Sequence, residues 1–167
     1  MILKTIATYK LTKKNILDIC KLKNSFWNFG LQCNKLWFVK NVKKFDHHFC
    51  LFVNKKLCGY VLLRVRTCFM GDIKKKYLYF DTLVVKKSYR NKKLSKLLLN
   101  SCNKFIKKKQ KIGFLICDKD LVSFYLKNKW KIINKKKYKI ADHETEKKGM
   151  AFNLQNIKKN IKFHLYK

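Results

Sequence analysis

Residues 77–130, YLYFDTLVVKKSYRNKKLSKLLLNSCNKFIKKKQKIGFLICDKDLVSFYLKNKW, decide the fold because element types alternate within them. Tyr77–Val85 is a β-branched and aromatic run, the composition of a long central strand. A turn loaded with Lys and one Arg follows. From about Arg90 to Lys108, Leu94, Leu97, Leu98, Cys102, Phe105 and Ile106 recur at helical spacing with Lys between them. Ile112–Cys117 reads as a short buried strand, and Lys119–Lys129 as a helix with Asp118 as its cap. The order is strand, basic turn, helix, strand, helix.

Upstream, Ile2–Tyr9 reads as a strand and Thr12 as the N-cap of a helix through about Lys23. Phe26–Phe38 is aromatic-rich and ambiguous, with a short helix near Asn34–Val39. Phe49–Val53 and Leu57–Arg66 form a hairpin-like pair about Asn54-Lys55-Lys56, and Cys68–Lys76 reads as a loop. Downstream, Trp130–Ile140 and Met150–Leu154 look like two last strands joined by a polar loop, Asp142–Gly149. These elements predict an α/β (α+β) chain, a mixed sheet with helices on both faces. Residues 1–154 are expected to form a single domain and 155–167 a basic C-terminal tail.

With 167 residues and 47% hydrophobic content, the chain can bury a full core. No apolar run approaches the roughly 20 residues of a membrane span, and the start MILKTIATYK lacks a secretory apolar stretch. A cytoplasmic protein without membrane contact, monomer or homodimer, is expected. Seven cysteines without a CxxC pair suit reduced core residues and neither a disulfide framework nor a metal site.

The formal net charge of +33 would ordinarily suggest nucleic acid. Yet 39 of the 42 basic residues are Lys, spread along the whole chain, with only three Arg. Together with abundant Asn, Ile, Phe and Tyr and no Pro, this is the usage of a very AT-rich genome. Selection for phosphate or base recognition would favour the planar fork of Arg. Much of the charge is therefore compositional, and a nucleic-acid role is possible but not favoured.

The basic turn has a physical use. Amides at a helix N-terminus point outward without partners and attract anions, and Arg90, Lys92, Lys93 and Lys96 add fixed positive charge. A solvated turn in a Lys-rich chain is the alternative, and the turn alone does not separate the two.

The turn, Val85-Lys86-Lys87-Ser88-Tyr89-Arg90-Asn91-Lys92-Lys93-Leu94-Ser95, resembles the V-x-P-x-x-R-G-x-G-x-G/A pattern of the GCN5-related N-acetyltransferase (GNAT) superfamily. Arg90 and Leu94 match, whereas Asn91, Lys93 and Ser95 replace glycines. Phe124-Tyr125-x-x-x-Lys129-Trp130 is similar to the superfamily's F-Y-x-x-x-G-F/W, with Lys129 where Gly is usual. The resemblance implies a mostly antiparallel central sheet and acetyl-CoA as cosubstrate, without a metal. It implies that main-chain amides of the turn grip the diphosphate and that the Leu83-Val84-Val85 backbone binds the pantetheine arm. Tyr125 would protonate the departing thiolate; read alone, Tyr125 is a core residue.

Acetyl transfer needs a neutral amine, and neutralising a Lys-like amine of pKa about 10.4 costs roughly 4–5 kcal/mol at pH 7. Asp81, on the strand beside the coenzyme segment, is the expected base or anchor for the ammonium, sharing a strand face with Tyr79 and Leu83. His47 or His48 could serve too, although a surface place is expected for both. His48–Val53, Gly59–Arg64, Asp81 and Gly149–Phe152 are further similar to aminoglycoside 2′-N-acetyltransferases, over about residues 45–154. A chain with nine acidic residues in all would repel such polycations. The expected function is N-acetyl transfer from acetyl-CoA to a small amine, an amino sugar or a protein amine. The alternative is a basic RNA- or ribosome-associated binding module on an inactive scaffold.

Overall fold

Among the residues described by the computed structural model, 1–155 and 160–166, the chain forms nine β-strands and four α-helices. They group into two units, Met1–Arg64 with Asp81–Cys102 and Val65–Phe80 with Asn103–Lys167. The long strands β3 (Lys56–Met70) and β4 (Ile73–Val85) contribute to both.

In the first unit, β1 (Ile2–Ala7) pairs antiparallel with β2 (His47–Val53), and β2 with β3. The β2–β3 register closes at Val53↔Lys56 because Asn54 and Lys55 both take left-handed φ values, 48° and 63°, as a two-residue hairpin turn requires. Helix α1 (Lys13–Asn24) starts at a reciprocal cap: Thr12 Oγ1 accepts from the Asn15 N–H, and Asn15 Oδ1 accepts from the Thr12 N–H. α1 and α2 (Leu31–Asn41) bury Ile19, Cys20, Leu22 and Phe38 against Cys50, Tyr60, Leu62 and Val84. Gly59 faces the other way, and a Cβ there would lie 2.9 Å from Leu98 of α3 (Leu94–Lys108). The alternation of β3 thus places helices on both faces, as expected.

In the second unit, β4 continues to a short parallel ladder with β5 (Gly113–Cys117), confined to Leu78↔Gly113 and Tyr79↔Phe114. β5 pairs antiparallel with β8 (Lys148–Phe152), and β8 with β6 (Lys131–Ile132). α4 (Val122–Leu126) is preceded by a 3-10 turn, Lys119–Leu121, so it is shorter than the sequence spacing predicts. Asp118 makes no side-chain cap bond; its carboxylate instead accepts from Lys147 Nζ at 3.0 Å. Trp130–Ile140, expected as one strand, is divided into β6 and β7 (Tyr138–Ile140).

Two expectations are corrected. Cys68–Lys76 is not a loop: β3 and β4 run on to a tight turn at Gly71-Asp72, where Gly71 has φ 62°. The exposed Lys74–Lys76 carry no apolar alternation, so the sequence pattern hides the strand. The segment expected as a basic tail contributes β9 (Ile161–Phe163), antiparallel to β3 and parallel to β7. Ile161, Phe163 and Leu165 are buried at a period of two between polar residues, and Phe163 stacks on Phe114 at 3.9 Å. Asp142 accepts from the Leu165 and Tyr166 N–H groups, which fixes this segment further. Residues 156–159 and 167 of that tail lie outside the described residues.

Candidate active site

The basic turn enters α3 later than the apolar spacing predicts. Asn91 and Lys93 adopt φ 61° and 56°, which no helix tolerates, so α3 begins at Leu94 and not at Arg90. These are two of the positions where the resembling pattern has glycine. The backbone shape is kept without the residue that makes it cheap. Leu97 N–H donates to Lys93 O, so the amides of Leu94, Ser95 and Lys96 precede the first helical bond and point out of the helix end. Leu94 is buried and Ser95 half-buried, whereas Lys86, Lys87, Arg90, Lys92, Lys93 and Lys96 are exposed. The result is a ring of cations around outward amides, an arrangement suited to a phosphate. Arg90 Nε donates to Val85 O at 3.4 Å, and its guanidinium lies 5.1 Å from the Phe26 ring centroid.

Asp81 lies in the same unit, on β4. Its Oδ2 accepts from Arg64 Nη1 at 2.9 Å, Arg64 being 1% and Asp81 20% exposed. Asp81 reaches Arg64 on the face of β3 that carries Tyr60 and Leu62, and Val84 packs in the cluster of those two residues. Along Asp81–Val85, half-buried Asp81, Leu83 and Val85 alternate with buried Thr82 and Val84, the period of a regular strand.

The surroundings of Asp81 contain side chains that the sequence reading did not single out. The Trp37 indole has Lys23 Nζ 3.5 Å and Arg64 Cζ 5.6 Å from its centroid. Burial pushes the Lys23 ammonium below the ordinary lysine range; Asp81 and Cys20 draw it back up, and Arg64 lowers it further. A signal was present: in a chain that uses Lys almost everywhere, each of the three Arg has a specific geometric task. Arg64 binds Asp81, Arg66 Nε donates to Leu165 O, and Arg90 sits in the turn.

His48, expected at the surface, is wholly buried. One ring nitrogen is 2.8 Å from the Tyr60 hydroxyl and the other 2.9 Å from Thr8 Oγ1. Burial, helped by the neighbouring His47, pushes its imidazole down to about 3. A neutral ring bridging two hydroxyls is a structural group here. His47 is half-buried.

Tyr125 belongs to the second unit, is 6% exposed, and meets Phe80 and Trp130 edge-on with ring centroids 6.0 Å away in each case. Its carbonyl accepts from the Asn128 and Trp130 N–H groups, which closes α4. Lys129, where the resembling motif has Gly, is again left-handed with φ 70°. Asn103 links this corner: Trp130 Nε1 donates to its Oδ1 at 2.9 Å, and its Nδ2 donates to Asn128 O at 3.1 Å. Among the described residues, no group of three or more His, Cys, Asp or Glu is placed to hold a metal, and no helix is long and apolar enough to cross a membrane.

Residues 16–129 match the model of a family described as acetyltransferase (GNAT) family. No curated protein matches the chain in sequence. Among solved structures, an acyl-CoA N-acyltransferase from Pseudomonas aeruginosa is similar at 12% identity and TM-score 0.68, covering 90% of this chain and 98% of that one. PaiA N-acetyltransferase from Thermoplasma acidophilum, in complex with coenzyme A, is similar at 18% identity and TM-score 0.57, with 91% and 99% covered. The ribosomal-protein-S18-alanine N-acetyltransferase from Escherichia coli is similar at 13% identity and TM-score 0.64, with 90% and 93% covered. At such identities the likeness is one of fold.

Proposed function

The chain belongs to the acetyltransferase (GNAT) family, a family of acyl transfer, and from that premise we propose that it moves an acetyl group from acetyl-CoA to a primary amine by direct attack. The observation that carries this reading is the turn before α3, which keeps left-handed Asn91 and Lys93 and outward amides despite having lost its glycines.

In this reading the amides of Leu94, Ser95 and Lys96 hold the diphosphate, with Arg90, Asn91, Lys92 and Lys93 about it. The Leu83-Val84-Val85 backbone receives the pantetheine amides. Arg64 occupies one oxygen of Asp81, and the other holds the acceptor ammonium until its proton passes to water. The neutral amine then attacks the thioester carbonyl, the nitrogen of the tetrahedral adduct gives its surplus proton to water, the C–S bond breaks, and Tyr125 O–H protonates the leaving sulfur. Tyr125 regains its proton from solvent. No cysteine is given a nucleophilic role: Cys33 is exposed, but the other six are buried, with Cys50 pushed up to about 12 by burial.

Calorimetric titration with acetyl-CoA at moderate salt tests the reading, with desulfo-coenzyme A and inorganic diphosphate as charge controls. Saturable one-site binding, followed by thiol release in the presence of an amine panel, is the expected result. Acetyl-CoA heats no larger than those of diphosphate, combined with salt-steep RNA binding, would favour a nucleic-acid module instead.

A further inference from the structure

The charges around Trp37 do not balance. Lys23 is 7% exposed, and its ammonium faces the Trp37 ring at 3.5 Å. No carboxylate of the described residues lies within ion-pair distance of it. The acidic group that acts on Lys23 is Asp81, and Asp81 is already bonded to Arg64 at 2.9 Å. Lys23 thus has no carboxylate of the described residues to itself beside the indole. A cation–π contact offsets only part of the cost of burying an ammonium, and buried charges as a rule are paired. An anion from outside the chain would complete an ion pair with Lys23.

We propose that Lys23 and Arg64, set about Trp37, form a subsite for a carboxylate of the acceptor, so that the amine acylated belongs to an amino acid or a similar aminocarboxylate. This rests on the acyl-transfer reading above and names its substrate class. Asp81, partly open to solvent, takes the ammonium end of such a molecule, and Lys23 completes its ion pair with the carboxylate end. The same two cations repel a polyamine or an amino sugar, which brings positive charge and no counter-ion. The subsite uses positions on α1, α2, β3 and β4 of one unit, so a single packed cluster positions it.

The test is turnover of the full chain with acetyl-CoA, read as thiol release, across the standard L-amino acids and their α-carboxamides. At least one free amino acid is expected to exceed its amide by about ten-fold or more in kcat/KM, the worth of one charged hydrogen bond. Lys23→Met should bring that ratio close to one, while acetyl-CoA affinity by calorimetry is kept; Lys23→Arg should preserve the preference. Amides accepted as well as acids by the unaltered protein would overturn the proposal even if Lys23→Met did not fold, and so would a preference that survives Lys23→Met. Acetyl-CoA binding with no amino acid accepted removes the carboxylate subsite alone. Absence of acetyl-CoA binding removes the acyl-transfer reading and the subsite with it.

Discussion

Arg64, almost without solvent contact, donates from Nη1 to Asp81 Oδ2 over 2.9 Å, while Asp81 keeps 20% of its side chain exposed. The pair thus has one buried and one open member. Removing Asp81 leaves a buried guanidinium, whereas removing Arg64 leaves a carboxylate that water can reach. Asp81→Ala should therefore destabilise by about 3 kcal/mol, and Arg64→Ala by about 2 kcal/mol through lost packing on Trp37 and the lost bond. Urea unfolding of both variants and the double variant gives the coupling. Losses that simply add would show that the pair contributes nothing.

Lys93 and Lys129 occupy left-handed backbone that a β-carbon disfavours by about 1–2 kcal/mol. Lys93→Gly and Lys129→Gly should each stabilise by about 1 kcal/mol once the extra entropy of glycine in the unfolded chain is deducted. A rise in the urea midpoint at constant m-value is the expected reading. Lys93→Gly also removes one cation from the turn, so acetyl-CoA affinity should fall at low salt and approach that of the unaltered protein as salt is raised.

His48 titrates near 6.5 when unfolded and near 3 when folded. Between those values the unfolded chain binds the extra proton, so the stability tied to the neutral ring is complete above pH 6.5. It is lost as pH falls toward 3, at up to about 1.4 kcal/mol per pH unit. His48→Gln, which can still bridge Thr8 and Tyr60, should be less stable at pH 7 yet show a shallower slope between pH 6 and 4. An unchanged slope would mean that other groups set the acid limb.

Arg90→Ala should weaken acetyl-CoA binding about ten-fold, an effect that shrinks as salt is raised. Arg90 is exposed and its contacts are light, so the melting temperature without coenzyme should change little. Isothermal titration at two salt concentrations measures both the loss and its screening.

Tyr125→Phe should lower kcat by roughly 100-fold and leave KM for acetyl-CoA unchanged, the split expected of a proton donor used only as the C–S bond breaks. Its packing against Phe80 and Trp130 is kept by the phenyl ring. Full turnover by this variant would return Tyr125 to the role of a core residue.

The sequence by itself determined the element order, because hydrophobic period is a local property. Leu94, Leu98, Cys102 and Ile106 lie buried on one stripe of α3, and the Asn54-Lys55 turn and the Thr12 cap fall where their residue types require. The family was legible from Arg90 and from Phe124-Tyr125, since turn and helix motifs are contiguous. What local pattern could not carry was decided in the tertiary structure. Whether IKF at 161–163 is a tail or a strand depends on β3 offering an open edge about ninety residues earlier in the chain. Whether His48 is surface or core depends on Thr8 and Tyr60 lying within hydrogen-bond reach. The gathering of Lys23, Trp37, Arg64 and Asp81 from two helices and two strands has no footprint in any window of sequence. Charge balance is settled by distance through space, and only folding sets those distances.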